Sequence, residues 1–191
     1  MARAGTGEDW SERIAAELAH RLGLPHASYE FATWRGRRGT VSPTFVPEQA
    51  TLVHGNELLL KAVPVYGGSG KYRVSQHTVD LVLDTIRDAE AKTPLDWTPP
   101  AGVLSAVEVF VGYLLLDALI GNTDRHHENW GIIEQPAGGT TTRYLAPTYD
   151  HASSMGRNEP DKKIARRLPG RDSGYNVEAY ALHARSARQS C

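Results

Sequence analysis

Residues 121–130 read GNTDRHHENW and follow directly on the apolar run VLSAVEVFVGYLLLDALI at 103–120. Val103, Val107, Phe110, Val111, Leu114 and Leu115 recur at helical spacing, so the run predicts a long helix with a broad buried face. The decamer behind it crowds an aspartate, an arginine, two histidines, a glutamate and two asparagines into a turn-like segment at the helix end. Glu108 and Asp117 interrupt the run and no basic anchors flank it, so burial in a protein core accounts for it better than a membrane span.

Downstream of the decamer, NWGIIEQ reads as a short strand, PAGGT as a turn and TTRYLAP as a returning strand, which delivers APTYD and ends at Asp150. Asp124, Asn129 and Asp150 thus lie on short loops joined by a hairpin. Three such oxygen-bearing side chains suit one hard cation, because Mg²⁺ takes carboxylate, carbonyl and phosphate oxygens in an octahedral shell. Phosphoryl transfer needs that metal on the nucleotide phosphates and an acceptor for the proton of the attacking hydroxyl. D-R-H-x-x-N followed by a distant Asp supplies these groups: Asp124 for the hydroxyl, Asn129 and Asp150 for the metal, with Arg125 and His126 holding the loop or shielding charge.

LIGNTDRHHENWGI together with LAPTYD closely resembles the catalytic and metal-binding segments of the HipA-like kinase family, within the wider protein-kinase and phosphatidylinositol-kinase-like architecture. The resemblance implies an ATP-dependent serine or threonine phosphotransferase with Asp124 as catalytic base, Asn129 as a metal ligand and Asp150 as the principal one. ATP and Mg²⁺ would be the cofactors and a protein with an acceptor Ser or Thr the substrate. Some relatives are toxins of bacterial toxin–antitoxin pairs, so a regulatory or antitoxin partner is also implied. A weaker resemblance covers EDWSERIAAELAHRLGLPHASY, where Glu12 matches a family glutamate that pairs with a nucleotide-binding lysine on an earlier strand. Here fewer than a dozen residues precede that helix and none is lysine.

The expected fold is therefore α+β: a truncated kinase-like domain over residues 8–191, incomplete at its N-terminus. A remnant of the N-terminal lobe is expected over 8–75, and a mainly helical catalytic lobe bearing the metal-binding β-hairpin over 76–191. Losing one preorganised contact to developing charge, such as the lysine, costs roughly 3 kcal/mol or about a hundredfold in rate. Two alternatives to an active kinase follow: a catalytically inactive kinase-like module that binds or regulates another protein, and a metal-dependent phosphohydrolase in which water replaces the hydroxyl.

The rest of the chain is punctuated by local signals. Ser11 reads as the cap of SERIAAELAHRL, whose Ile14, Leu18 and Leu22 form an apolar stripe widened by Ala15 and Ala19. ASYEFATW is strand-like, with GRRG at 36–39 as a hairpin turn. Residues 41–75 read as loop with strand fragments around ELLLKAV, in which Lys61 is a snorkelling residue rather than a phosphate ligand. GGSGK at 67–71 lacks the P-loop spacing. Residues 76–90 keep helical spacing, 92–100 form a proline-broken linker, and NVEAYALHARSA predicts a final helix.

Lys plus Arg number 21 against 22 Asp plus Glu, a formal net charge of -1, so no global field draws the chain to nucleic acid or an anionic membrane. Lys162, Lys163, Arg166 and Arg167 read as a solvated helix face, since acidic neighbours reduce the field and no aromatics interleave. The lone cysteine, Cys191, and the absence of a signal-like apolar stretch in MARAGTGEDW suggest a cytoplasmic protein. Adjacent His126 and His127 do not make a zinc site, because neighbours in a regular element cannot easily face one ion. His126 is expected to brace the backbone around Asp124 and His127 to face water. Asp117 is unfavourable with respect to the helix dipole, which leaves bonding to the loop or solvent exposure open. Trp130 and Tyr149 are expected to pack beneath the two loops.

Overall fold

The computed structural model describes residues 7–63, 65–67, 74–157, 159, 162 and 165. In chain order these form α1 (Glu8–Arg21), β1 (Glu30–Trp34), β2 (Arg37–Val41), β3 (Thr51–His54), α2 (Gly55–Ala62), α3 (Val79–Asp88), α4 (Ala106–Ile120), β4 (Gly131–Ala137) and β5 (Thr140–Leu145). The expected final helix lies outside the described residues, as do Lys71, Lys163, Arg166 and Arg167.

α4 begins where a capping box satisfies its first amides. Ser105 Oγ accepts the Glu108 N–H at 3.3 Å, and Glu108 Oε2 accepts the N–H groups of Leu104 and Ser105 at 2.7 and 2.8 Å. Bonds from Leu104 first, then Ser105, hold the Glu108 carboxyl below its usual pKa. The helix stops at Gly121, whose φ of 61° is left-handed and therefore suits glycine. Thr78 caps α3 in the same manner, its hydroxyl accepting from Leu81 N–H at 3.2 Å. At 15 residues α4 is too short to cross a bilayer, and no helix among the described residues is long and apolar enough to do so.

β4 and β5 pair antiparallel through a tight turn at Gly138 and Gly139, with φ of 57° and 85°. β3 joins the other side of β4, in register from Thr51 opposite Glu134 to His54 opposite Gly131, so the sheet order is β3-β4-β5. The approach is close at Gly131, where a Cβ would lie 2.5 Å from the Val53 carbonyl. β1 and β2 form a separate two-stranded ribbon beside α1.

The larger core gathers Leu59, Val82, Phe110, Tyr113, Ile132 and Leu145, all nearly inaccessible, from α2, α3, α4 and the three-stranded sheet. It spans the division drawn at residue 75, because β3 and α2 share the sheet and the core with later elements. All of ELLLKAV but Val63 lies in helix α2 rather than a strand; a short apolar run carries no periodicity to separate the two. Lys61 is exposed in its last turn.

Two helices bury different faces from those their sequences suggest. α1 starts at Gly7 rather than at a Ser11 cap, and buries Ser11, Glu12, Ala15, Ala16 and Ala19 while Ile14 and Leu22 remain 43 % and 55 % exposed. Small side chains permit close approach to Leu116 and Ile120 of α4, and proximity rather than side-chain size selects the buried face. On α4, Phe110 is buried as expected, but Val111 and Leu115 are exposed.

Candidate active site

Arg125 organises the polar decamer. The residue is 2 % exposed, and its guanidinium makes two 2.8 Å bonds to the oxygens of Asp117, which is fully buried in the last turn of α4. Such a two-pronged pair offsets the cost of burying both charges, and Asp117 therefore has the bonding role. Burial acts to lower the Arg125 pKa, but the Asp117 carboxylate outweighs it and the net shift is upward. The remaining guanidinium hydrogens go to the carbonyls of Asn129 and Tyr149 and to Thr148 Oγ1. One side chain thus ties the helix end, the decamer and the strand exit after β5 together.

Asn122 continues the framework: its Nδ2 donates to Asp117 Oδ1 at 2.8 Å and its Oδ1 accepts the Asp124 N–H at 3.1 Å. Asn129 Nδ2 donates to the Asp124 carbonyl at 2.8 Å, which orients the amide so that Oδ1 is the atom able to engage a metal. His126 Nδ1 accepts the Glu128 N–H at 3.1 Å, so in the neutral ring Nε2 carries the proton. That Nε2 lies 3.9 Å from Asp124 Oδ1, and His126 both braces the loop and faces the Asp124 carboxylate. His127 does not face water as expected. It is 6 % exposed, with Nδ1 3.1 Å from the Tyr66 hydroxyl, because residues 65–67 fold over it, a contact with no local sequence signal. Trp130 is buried edge-to-face on Phe110, and Tyr149 stacks on Phe45 while donating to the Glu128 carbonyl at 2.9 Å.

Asp150 adopts a left-handed backbone with φ of 58°, a conformation that aspartate tolerates and that recurs at functional sites. The residue keeps an open surface, yet partial burial of its carboxyl, then the charges of Glu12 and Asp124, raise its pKa. His126 and His151 act in the opposite sense. The charges of Asp124 and of Glu12 thus both bear on Asp150, the latter from α1, 138 positions away in sequence.

Glu12 departs from the pairing that the resemblance implies. In place of a strand lysine its partner is His151, whose N–H it accepts at 2.9 Å and whose Nδ1 lies 3.5 Å away. His151 Nε2 in turn meets Thr148 Oγ1 at 2.8 Å, which closes the circuit to Arg125. Ser11, also from α1, bonds Ser154 Oγ at 2.8 Å. Tyr29, Thr148, His151 and Ser154 carry no distinctive sequence signal, whereas Asn122 stands two residues before Asp124, within the polar decamer itself.

Among the described residues no three His, Cys, Asp or Glu side chains gather as a metal-holding group by themselves. Magnesium does not require one, since it usually takes one or two protein carboxylates and completes its shell with water and phosphate. The like charges that raise the pKa of Asp150 are those a divalent cation would relieve, and Asp150 with Asn129 Oδ1 is a hard-oxygen donor set that fits Mg²⁺.

The raised pKa has a consequence for stability. The folded chain holds the Asp150 proton more tightly than the unfolded chain, so this contribution is present below the ordinary value of 3.8 and is lost as pH rises through the elevated one. At neutral pH the ionised carboxylate opposes folding. Asp150→Asn is therefore expected to melt above the wild type at pH 7 without metal, with the difference closing as pH falls below the ordinary value; scanning calorimetry across pH checks this. A lower melting point for the variant at pH 7 would contradict it.

No family model matches the chain, and no curated protein matches it. A search of solved structures finds similarity to the crystal structure of a Helicobacter pylori proinflammatory kinase, CtkA, with a TM-score of 0.64 and 19 % sequence identity over 90 % of this chain. The chain spans 57 % of that protein's length. The fold is kinase-like, a mixed α/β arrangement in which the decamer and Asp150 flank a β-hairpin.

Proposed function

We propose that the chain is an ATP-dependent serine/threonine phosphotransferase of HipA-like type that acts on a protein hydroxyl. The observation that carries this reading is that one buried guanidinium, Arg125, bonds the carbonyls of Asn129 and Tyr149 and so ties the Asp124–Asn129 loop to the residue before Asp150, on a kinase-like fold. Asp124 orients the acceptor hydroxyl and takes its proton, with the His126 ring beside it. Asn129 and Asp150 would hold Mg²⁺, while Arg125 keeps both loops in register. MgATP, when bound, would supply the phosphoryl group, its metal offsetting charge on the phosphate oxygens. An antitoxin-like regulatory partner and a cytoplasmic setting belong to the same proposal.

A second reading, a catalytically inactive kinase-like module, is favoured by one observation: the Glu12 carboxylate is engaged by His151 rather than by a lysine. Titrating the chain with ATP by calorimetry, with and without Mg²⁺, and following protein phosphorylation by mass spectrometry separates the two. The kinase requires Mg²⁺-dependent nucleotide binding and phosphate on a Ser or Thr. Binding without transfer supports the module, phosphate release without labelled protein indicates hydrolysis, and no binding overturns the kinase.

A further inference from the structure

We infer that Tyr29 and Glu12 are positioning residues for Asp150: they capture the successive backbone N–H groups of residues 150 and 151 and so hold the carboxylate of Asp150 in its left-handed turn, on the side of Asp124. This rests on the reading of Asp150 as a metal ligand.

The geometry is specific. Asp150 N–H donates to the Tyr29 hydroxyl oxygen at 3.2 Å, and His151 N–H donates to Glu12 Oε1 at 2.9 Å. The Tyr29 hydroxyl also faces the Glu12 carboxylate and has its own proton to donate toward it. One hydroxyl therefore links both captured amides. Glu12 is 4 % exposed and cannot exchange this role for water.

Sheet pairing ends at Leu145, five residues before the left-handed turn at Asp150, so the amides of 150 and 151 have no strand partner and need other acceptors. Side chains from the α1 region replace the missing ladder. The residues just before are bound by backbone, with Thr148 N–H donating to the Pro25 carbonyl at 3.0 Å and Ala27 N–H to the Thr148 carbonyl at 2.9 Å. Thr148 and His151 are tied on the other side to Arg125. Asp150 is thus held by α1 and the 25–29 segment on one flank and by the catalytic decamer on the other.

Tyr29→Phe removes the accepting oxygen and keeps the ring. Amide exchange by NMR is expected to show Asp150 N–H exchanging about tenfold faster, and Mn²⁺ titration followed by electron paramagnetic resonance a dissociation constant about five- to tenfold higher, the equivalent of one hydrogen bond. Glu12→Gln retains an accepting oxygen and should preserve the protection of His151 N–H, which Glu12→Ala should lose. A clamp serving only stability would give faster exchange with unchanged Mn²⁺ affinity, and that result overturns the inference, as does unchanged exchange. Should the variants fail to fold, Mg²⁺ added to the wild type is expected to slow exchange at residues 150 and 151; no change there also overturns it. If the wild type binds no Mn²⁺, the assignment of Asp150 as a ligand fails and the inference with it, whereas wild-type binding with an unaffected Tyr29→Phe variant rejects the clamp alone.

Discussion

Replacing Arg125 with methionine is expected to destabilise the chain by about 3–5 kcal/mol, which for a chain of this size lowers the melting temperature by roughly 6–20 °C. The cause is the carboxylate left behind. Asp117 is fully buried at the end of α4, and without the guanidinium its charge keeps, among the described residues, the Asn122 amide and the end of a helix dipole of the wrong sign. The carbonyls of Asn129 and Tyr149 and the Thr148 hydroxyl lose a donor in the same step. The double variant Asp117→Leu/Arg125→Met removes both charges and should regain part of the loss, since replacing a whole buried pair with apolar side chains is often neutral. Recovery is expected to be incomplete, because Asn122 and Thr148 also bond to the pair. Thermal unfolding monitored by circular dichroism measures both. A single variant melting within about 2 °C of wild type would show that Arg125 does not hold the loops together.

Asp124→Asn is expected to reduce phosphate transfer by about 100- to 10,000-fold, the span over which a positioned general base contributes. The change is nearly isosteric and removes the anionic acceptor, while the Asp124 backbone keeps its bonds to Asn122 and Asn129. Mg²⁺-dependent nucleotide binding should therefore change little. Asp150→Asn should differ in kind, losing the metal-dependent part of binding and transfer together. Pairing calorimetry with a single-turnover transfer assay resolves the two roles. Equal loss of nucleotide binding in both variants would place Asp124 on the metal rather than on the acceptor hydroxyl.

Much of the local architecture follows from short-range pattern. α3, α4 and the β4–β5 hairpin lie close to where apolar spacing and turn residues place them, because capping, glycine turns and periodicity act within a few residues. The decamer and Asp150 are legible for the same reason: a helix end, a loop and a hairpin bring residues 124 and 150 near one another over a short chain length.

What the sequence by itself determined was the helix that ends at Gly121, the hairpin beyond it and the acidic and amide groups at either end. Only the tertiary structure decided which faces of α1 and α4 are covered, that Asp117 and Arg125 form a buried pair, and that His127 sits beneath Tyr66. It alone joined Glu12 to His151 and Tyr29 to Asp150, across 139 and 121 positions. Contacts at such separations leave no periodic trace, because their partners are chosen by the packing of whole elements rather than by neighbouring residues.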